Sequence, residues 1–244
     1  MAACPVLDES QATNDLYSHR VQKAVSTDGV SFALQDTILL EHASVPDAVV
    51  RTDGEIWVYF INGQPGQHAI FIARQADDGL LEVFDCVRFD GQINPNSVDP
   101  DIVLLVDGRY RLFYFTGWFD GVTGPPPDAP HPIYSAISED GVHFEQEQLL
   151  MEIDGGGTDP TAVEMPDGSW LLAYAYPEGA RLASSSDGTD FTDTGQVFDQ
   201  GIPELHRFSD GTIRAYIAGR DGLSVWSSDD DGRSWTEEAQ QFLP

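Results

Sequence analysis

Lysine is almost missing from this chain: Lys23 stands alone beside eleven arginines, against 41 aspartates and glutamates in 244 residues. The net charge of −29 argues against nucleic acid as a partner, because a phosphate backbone would be repelled. Disorder, the other common reason for acidity, is at odds with 11% aromatic residues and dense strand patterning. What remains is a folded protein with a hydrated acidic surface. Its self-repulsion is relieved where salt is plentiful, so a saline environment is expected. Cysteine is scarce as well. Cys4 and Cys86 make no metal-ligand spacing and permit one disulfide at most. No run of 18 apolar residues occurs, so no helical membrane span is expected. Helical periodicity is essentially absent, which leaves strands.

The strands come in repeats. Asn96-Ser97-Val98-Asp99-Pro100-Asp101-Ile102-Val103 leads through Asp107-Gly108 into Tyr110-Arg111-Leu112-Phe113-Tyr114-Phe115. The same plan recurs around Pro46 with Asp53-Gly54, around Pro160 with Asp167-Gly168, and around Pro203 with Asp210-Gly211. Each copy reads as two strands joined by a tight turn in which glycine supplies a positive φ. A second hairpin type alternates with the first. Ser26-Thr27-Asp28-Gly29, Ser138-Glu139-Asp140-Gly141, Ser185-Ser186-Asp187-Gly188 and the longer Ser228-Asp229-Asp230-Asp231-Gly232 each precede an aromatic residue; Asp77-Asp78-Gly79 is a degenerate copy. Their Ser and Asp side chains are suited to bond turn amides.

Four short strands per unit at regular spacing are the signature of a propeller blade, so the chain is expected to be all-β. Five outer hairpins accompany only four inner pairs, and the hairpin over roughly 19–41 has no inner strands of its own. A five-bladed frame with an incomplete N-terminal blade is therefore expected; the alternative is four blades with an extra hairpin. One propeller domain is assigned to 17–244, preceded by a tether over 1–16. Met1-Ala2-Ala3-Cys4 resembles the end of a bacterial lipoprotein signal, which implies a lipid anchor at Cys4 and a secreted or cell-surface location; an ordinary N-terminus is the alternative. A monomer is expected.

The starts of inner strands converge at one mouth of a propeller. Asp47, Asp99, Asp101, Asp159 and Glu204 fall there, and crowded carboxylates push one another's pKa upward, separating an acid from a base. The same residues could instead bond backbone amides between blades, or jointly hold a structural Ca2+; no cofactor is required. Candidate substrate contacts are Asp101, His206, His42, Arg51 and Trp118, the last in the proline-rich insertion over 117–132.

The Asp-Pro inner strands with Asp-Gly-x-Tyr turns, paired with Ser-x-Asp-Gly outer hairpins, resemble the five-bladed propellers of glycoside hydrolase families 43 and 32. That resemblance implies hydrolysis of a neutral oligo- or polysaccharide by three carboxylates: a base (Asp47 or Asp99), a tuning Asp (Asp159) and an acid (Glu204). The chain departs from the family pattern where Glu204 follows its proline and where the first inner strand pair is missing. The rival is a propeller that binds carbohydrate or a partner without catalysis. The run from Ser228 to Trp235 also resembles the sialidase Asp box, a structural turn. A sialidase further needs clustered arginines, for which Arg51, Arg207, Arg214 and Arg220 are the candidates.

Overall fold

The computed structural model describes residues 3–6, 15–64, 67–116, 130–220 and 222–241. After a short 3-10 turn at Asp15–Ser18 come β1 (Arg20–Val25) and β2 (Ala33–Glu41), which form a hairpin of their own. Blade 1 is β3 (Ser44–Val50), β4 (Ile56–Ile61), β5 (Ile70–Gln75) and β6 (Leu81–Cys86). The short β7 (Arg88–Phe89) joins blade 2, lying parallel to its outermost strand. Blade 2 is otherwise β8 (Ser97–Leu104), β9 (Tyr110–Thr116), β10 (His131–Ser138) and β11 (His143–Ile153). Blade 3 comprises β12 (Thr158–Glu164), β13 (Trp170–Ala175), β14 (Arg181–Ser185) and β15 (Thr192–Val197). Blade 4 comprises β16 (Ile202–Arg207), β17 (Ile213–Gly219), β18 (Gly222–Ser228) and β19 (Thr236–Gln241). The architecture is an all-β propeller with four blades among the described residues.

Turn chemistry explains the hairpins. Gly54, Gly108, Gly168 and Gly211 all take φ between 86° and 98°, which a side chain would oppose. In four of the outer turns the serine hydroxyl accepts the glycine N–H, as Ser138 does from Gly141 at 2.9 Å, while Gly79 of the degenerate copy donates to Ala76 O. The following Asp140 accepts the N–H groups of Val142 and His143.

Cores form between blades, so strands flanked on both sides are apolar throughout. β4, β9 and β13 are buried along nearly their whole length. Tyr59 donates to the Gly141 carbonyl of the next blade's outer turn, and Arg111 reaches that of Gly188. Tyr216 of blade 4 donates likewise to Gly29 O, the turn of the N-terminal hairpin, at 2.8 Å. The hairpin thus stands to blade 4 as each outer hairpin stands to the blade before it. Phe32, just before its return strand, meets Tyr216 edge-on; its backbone N–H donates to the Gln241 side-chain Oε1 and its carbonyl accepts from the Gln241 Nε2.

The inner side tells the other half. β3 packs on β8, β8 on β12, and β12 on β16. β16 and β3 do not pack on each other in that way, and both alternate between buried and open residues, as does β17. Where the ring would close, the described residues supply an outer hairpin and no inner pair.

The N-terminal residues expected to form a tether are held in part. Cys4 is disulfide-bonded to Cys86 of β6, Tyr17 is buried, and Leu16 packs on Gly63. A sulfur in this bond is not free to carry a lipid, so the two uses of Cys4 exclude each other within one molecule. No helix among the described residues is long and apolar enough to cross a membrane.

Candidate functional site

Three inner strands begin with the same distortion. Val45, Asp99 and Asp159 have φ of 47°, 53° and 50°, left-handed values each placed directly before a proline. The pairing register jumps across them, between Ser44 and Asp47, Val98 and Asp101, and Thr158 and Thr161. A bulge of this kind re-aims the side chains that follow and stores strain of order 1–3 kcal/mol per residue. Blade 4 lacks it: Ile202, Pro203 and Glu204 pair in unbroken register with Ala218, Ile217 and Tyr216.

The bulges divide the carboxylates into two groups. Residues after the prolines are Asp47, Asp101, Thr161 and Glu204; residues before them are Val45, Asp99, Asp159 and Ile202. In the first group the side chains of Asp47, Asp101 and Thr161 each tie their blade to the next. Asp47 Oδ2 accepts the Ile102 N–H at 2.5 Å, Asp101 Oδ2 that of Ala162 at 3.0 Å, and Thr161 Oγ1 that of Leu205 at 3.1 Å. The expected amide-bonding role is thus present in Asp47 and Asp101. Thr161 was missed because it carries no charge; aligning the repeats on proline exposes it. Asp47, Asp101 and Glu204 also bring carboxylate oxygens from three blades to within 4.8 Å of one another. In the second group Asp99 Oδ2 accepts the Asp159 N–H at 3.3 Å, while Asp159 Oδ2 takes the Thr158 hydroxyl at 2.7 Å.

Enclosure by protein disfavours charge on all five. Burial raises Asp47 to about 7 against the net lowering by the amides of Ile102 and Ala48. Burial and then Asp47 hold Asp101 well above the carboxylate range. Glu204 is pushed well up by burial, then by Asp47 and Asp101, although its side chain keeps an open face on the cavity. Asp99 is raised by burial and by Asp159, and Asp159 by burial. The turn aspartates show the contrast: amides of Ser31 and Val30 hold the exposed Asp28 at about 2.

The linkage has a definite sign. The folded chain binds the Asp47 proton more tightly than an unfolded chain with an ordinary value of 3.8. The stabilisation is fully present below that value and is lost as pH rises through about 7. Melting temperature in high salt is expected to fall between pH 5 and pH 8. Asp47→Asn is expected to flatten that fall, at a cost in absolute stability because two amide donors then face one acceptor. An unchanged slope in thermal melts of the variant would show that Asp47 is ionised throughout.

All five carboxylates line one cavity of about 850 Å3. The other candidates stand elsewhere. His206 meets Phe208 edge-on and His42 stacks on Tyr17, and neither lines the cavity. Arg51 lies 3.8 Å over the Trp57 ring and donates to Asp140 O, joining blades 1 and 2. Trp118 lies outside the described residues. Of the arginine candidates, Arg214 pairs with Glu238 and lies over Phe208, and none of the four lines the cavity.

No protein-family model matches the sequence. Two uncharacterised proteins from two strains of Mycobacterium tuberculosis are 31% identical over 129 residues, a stretch covering 49% of this chain and 40% of each relative. Solved structures speak more directly. A thermostable family-43 glycoside hydrolase superposes with a TM-score of 0.66 at 11% identity, covering 91% of this chain and 86% of its own. The fold is that of family-43 glycoside hydrolases. A family-43 β-xylosidase/α-arabinofuranosidase from a compost metagenome, solved with xylotriose in a calcium-free form, also gives 0.66, at 16% identity over 95% of this chain and 87% of that one. An endo-arabinase from Bacteroides thetaiotaomicron gives 0.63 at 12% identity over 99% and 93%. At such identities the family-43 likeness is one of fold.

Proposed function

We propose that the protein is a glycoside hydrolase acting on a neutral sugar substrate, with the carboxylate-lined cavity as its active site. The observation that carries this reading is the separation of five carboxylates into a trio and a pair within one cavity of a glycosidase-type fold. Glu204 is the general acid. Burial and then its neighbours Asp47 and Asp101 favour its protonated form, and its open face leaves the proton available to a glycosidic oxygen. Asp99 is the base. Asp47 is less suited, because both its oxygens already accept backbone N–H groups and because the trio is packed too closely to hold water and a sugar ring between its members. Paired carboxylates that act across a sugar and a water stand about 6.5–9.5 Å apart. Asp159 tunes Asp99: two such acids together retain one proton, leaving the other ionised.

In this reaction the bond from the anomeric carbon to the leaving oxygen breaks, and that oxygen takes the Glu204 proton. A water forms the new bond to the carbon and gives its proton to Asp99. A neutral substrate is favoured because the chain's −29 charge would repel an acidic polymer. The Cys4–Cys86 disulfide supports an extracytoplasmic location. The same −29 charge supports a saline one.

The closeness of the trio favours a second reading, in which Asp47, Asp101 and Glu204 hold one Ca2+ and have no acid role. Oxygens from three blades within 4.8 Å of one another suit a hard cation coordinated at about 2.3–2.6 Å. A screen of aryl-glycosides and plant and algal oligosaccharides in high salt, with Ca2+ or with chelator, separates the two. Turnover that persists in chelator is expected. No turnover on any substrate, with a melting temperature that Ca2+ raises and chelator lowers, would assign the trio to the metal instead.

A further inference from the structure

We propose that a set of histidines, His68 and His131 foremost, positions the Asp99–Asp159 pair by gripping the chain just ahead of each strained inner-strand start. The consequence for catalysis rests on the hydrolase reading; the consequence for the geometry of the pair does not. Inner strands β3, β8 and β12 each begin with a left-handed residue before proline, at Val45, Asp99 and Asp159, and β16 does not. Such residues persist only where their surroundings over-determine them. Each of the three has an imidazole beside it, carried at the start of the strand that enters the preceding outer turn. His131, which opens β10, lies 3.1 Å through Nδ1 from the carbonyl of Gly157, two residues ahead of Asp159. His68, just before β5, lies 2.7 Å through Nε2 from the carbonyl of Ser97, two residues ahead of Asp99. His19, just before β1, lies 2.9 Å through Nδ1 from Ser44 Oγ, and its own carbonyl accepts the Ala43 N–H, directly ahead of Val45.

The pattern includes its own control. His19 and His131 each stand ten residues before the glycine of their outer turn, Gly29 and Gly141. Ten residues before Gly188, in blade 3, stands Glu178. It pairs with Arg181, and the inner strand that follows runs in unbroken register. Three imidazoles accompany three bulges, and the strand without a bulge follows a blade with an acid in that place. The chemistry suits the task as well. A carbonyl only accepts, so the proton of His131 sits on Nδ1 and that of His68 on Nε2. Both rings are buried, His131 with its centre 4.8 Å from that of Phe115. Burial lowers His68 to about 4, against the Ser97 carbonyl, so this ring donates in its neutral form at neutral pH. The two grips converge on one hydrogen bond. Its donor, the Asp159 N–H, belongs to the peptide next to the one His131 holds; its acceptor, Asp99 Oδ2, follows the carbonyl His68 holds by two residues.

The test is hydrogen exchange at the Asp159 amide, followed by NMR in high salt, beside steady-state kinetics on aryl-glycosides. His131→Phe keeps a ring and removes the donor, whereas His131→Asn puts an amide N–H where Nδ1 stood. His68→Leu and His68→Gln make the same comparison for Nε2, so a His131→Phe chain that fails to fold leaves the second comparison standing. Exchange at Asp159 is expected to be about tenfold faster in His131→Phe and His68→Leu, as for the loss of one buried hydrogen bond. It is expected to return to within about twofold of wild type in His131→Asn and His68→Gln, while Leu172 in β13 keeps its rate throughout. In kinetics the two variants without a donor should lose about 10–100-fold in kcat with little change in KM, because the reacting groups are misplaced and the binding surface is not. An Asp159 rate that no variant alters, or a loss that the amide variants do not restore, would overturn the proposal. Equal acceleration at Leu172 would overturn it too, by reducing the histidines to packing. Exchange that follows the donors in a protein without turnover overturns only the hydrolase reading; turnover with exchange indifferent to the donors overturns only the positioning role.

Discussion

Glu204→Gln is expected to lower kcat by about 10²–10⁴-fold on glycosides with a poor leaving group, the usual contribution of a positioned acid. On an aryl-glycoside with an acidic phenol the loss should be far smaller, because that leaving group departs without a proton. Asp99→Asn should instead abolish turnover on both, since a water that is not deprotonated attacks neither. Asp159→Asn is a positioning change: with its neighbour's charge gone, Asp99 ionises more readily, and the acid limb of the pH profile should move to lower pH. The alkaline limb of wild type reports the raised Glu204 and should vanish in the Gln variant. Steady-state kinetics on the two leaving-group classes, with circular dichroism for folding, decides the matter. If Glu204→Gln loses nothing on either class while Asp47→Asn and Asp101→Asn merely destabilise, the ring is an inter-blade fastening.

Removing the disulfide should have the largest effect on stability. Cys4 and Cys86 are 82 residues apart, and the bond encloses the N-terminal hairpin and nearly all of blade 1. Cross-linking a loop of that length restricts the unfolded chain by about 4.5 kcal/mol in the chain-entropy treatment, with about 2–4 kcal/mol typical of measured bridges. Cys4→Ser/Cys86→Ser is therefore expected to lose about 3 kcal/mol in urea unfolding, or roughly 10 °C in melting temperature. The loss should appear first in the hairpin. Its inner edge has no sheet neighbour among the described residues, and its ties to blade 4 are a few hydrogen bonds and one edge-on aromatic contact. Hydrogen exchange over 20–41 is expected to accelerate more than exchange over β9 or β13, which lie between full blades. Equal midpoints in oxidised and reduced protein would show that the hairpin is held by its other contacts alone.

Much of the fold is legible without coordinates because its signals are local. An Asp-Gly pair specifies a turn wherever it falls, since glycine alone accepts the φ near 90° found at Gly54, Gly108, Gly168 and Gly211. The Ser-x-Asp-Gly boxes likewise carry their own hydrogen bonds, within three residues, at Ser26, Ser138 and Ser185. Counting such turns yields the blades, and an aromatic-rich strand between them marks burial on both faces.

The division of the carboxylates is not legible in this way. Strand alternation alone groups Asp99 with Asp101, two positions apart, as neighbours on one face. The left-handed residue before Pro100 breaks that alternation, and a shift of one residue sends a side chain to the other side. Asp101 consequently joins Asp47 and Glu204, while Asp99 turns to Asp159. The number and kind of hairpins follow from residues a few positions apart, and so are written locally in the chain. Which acids meet, that Cys4 reaches Cys86, and that among the described residues no inner pair stands between β16 and β3 were settled by three-dimensional packing. Each of these depends on how bulges and twists accumulate across whole blades, and no short stretch of the chain contains that information.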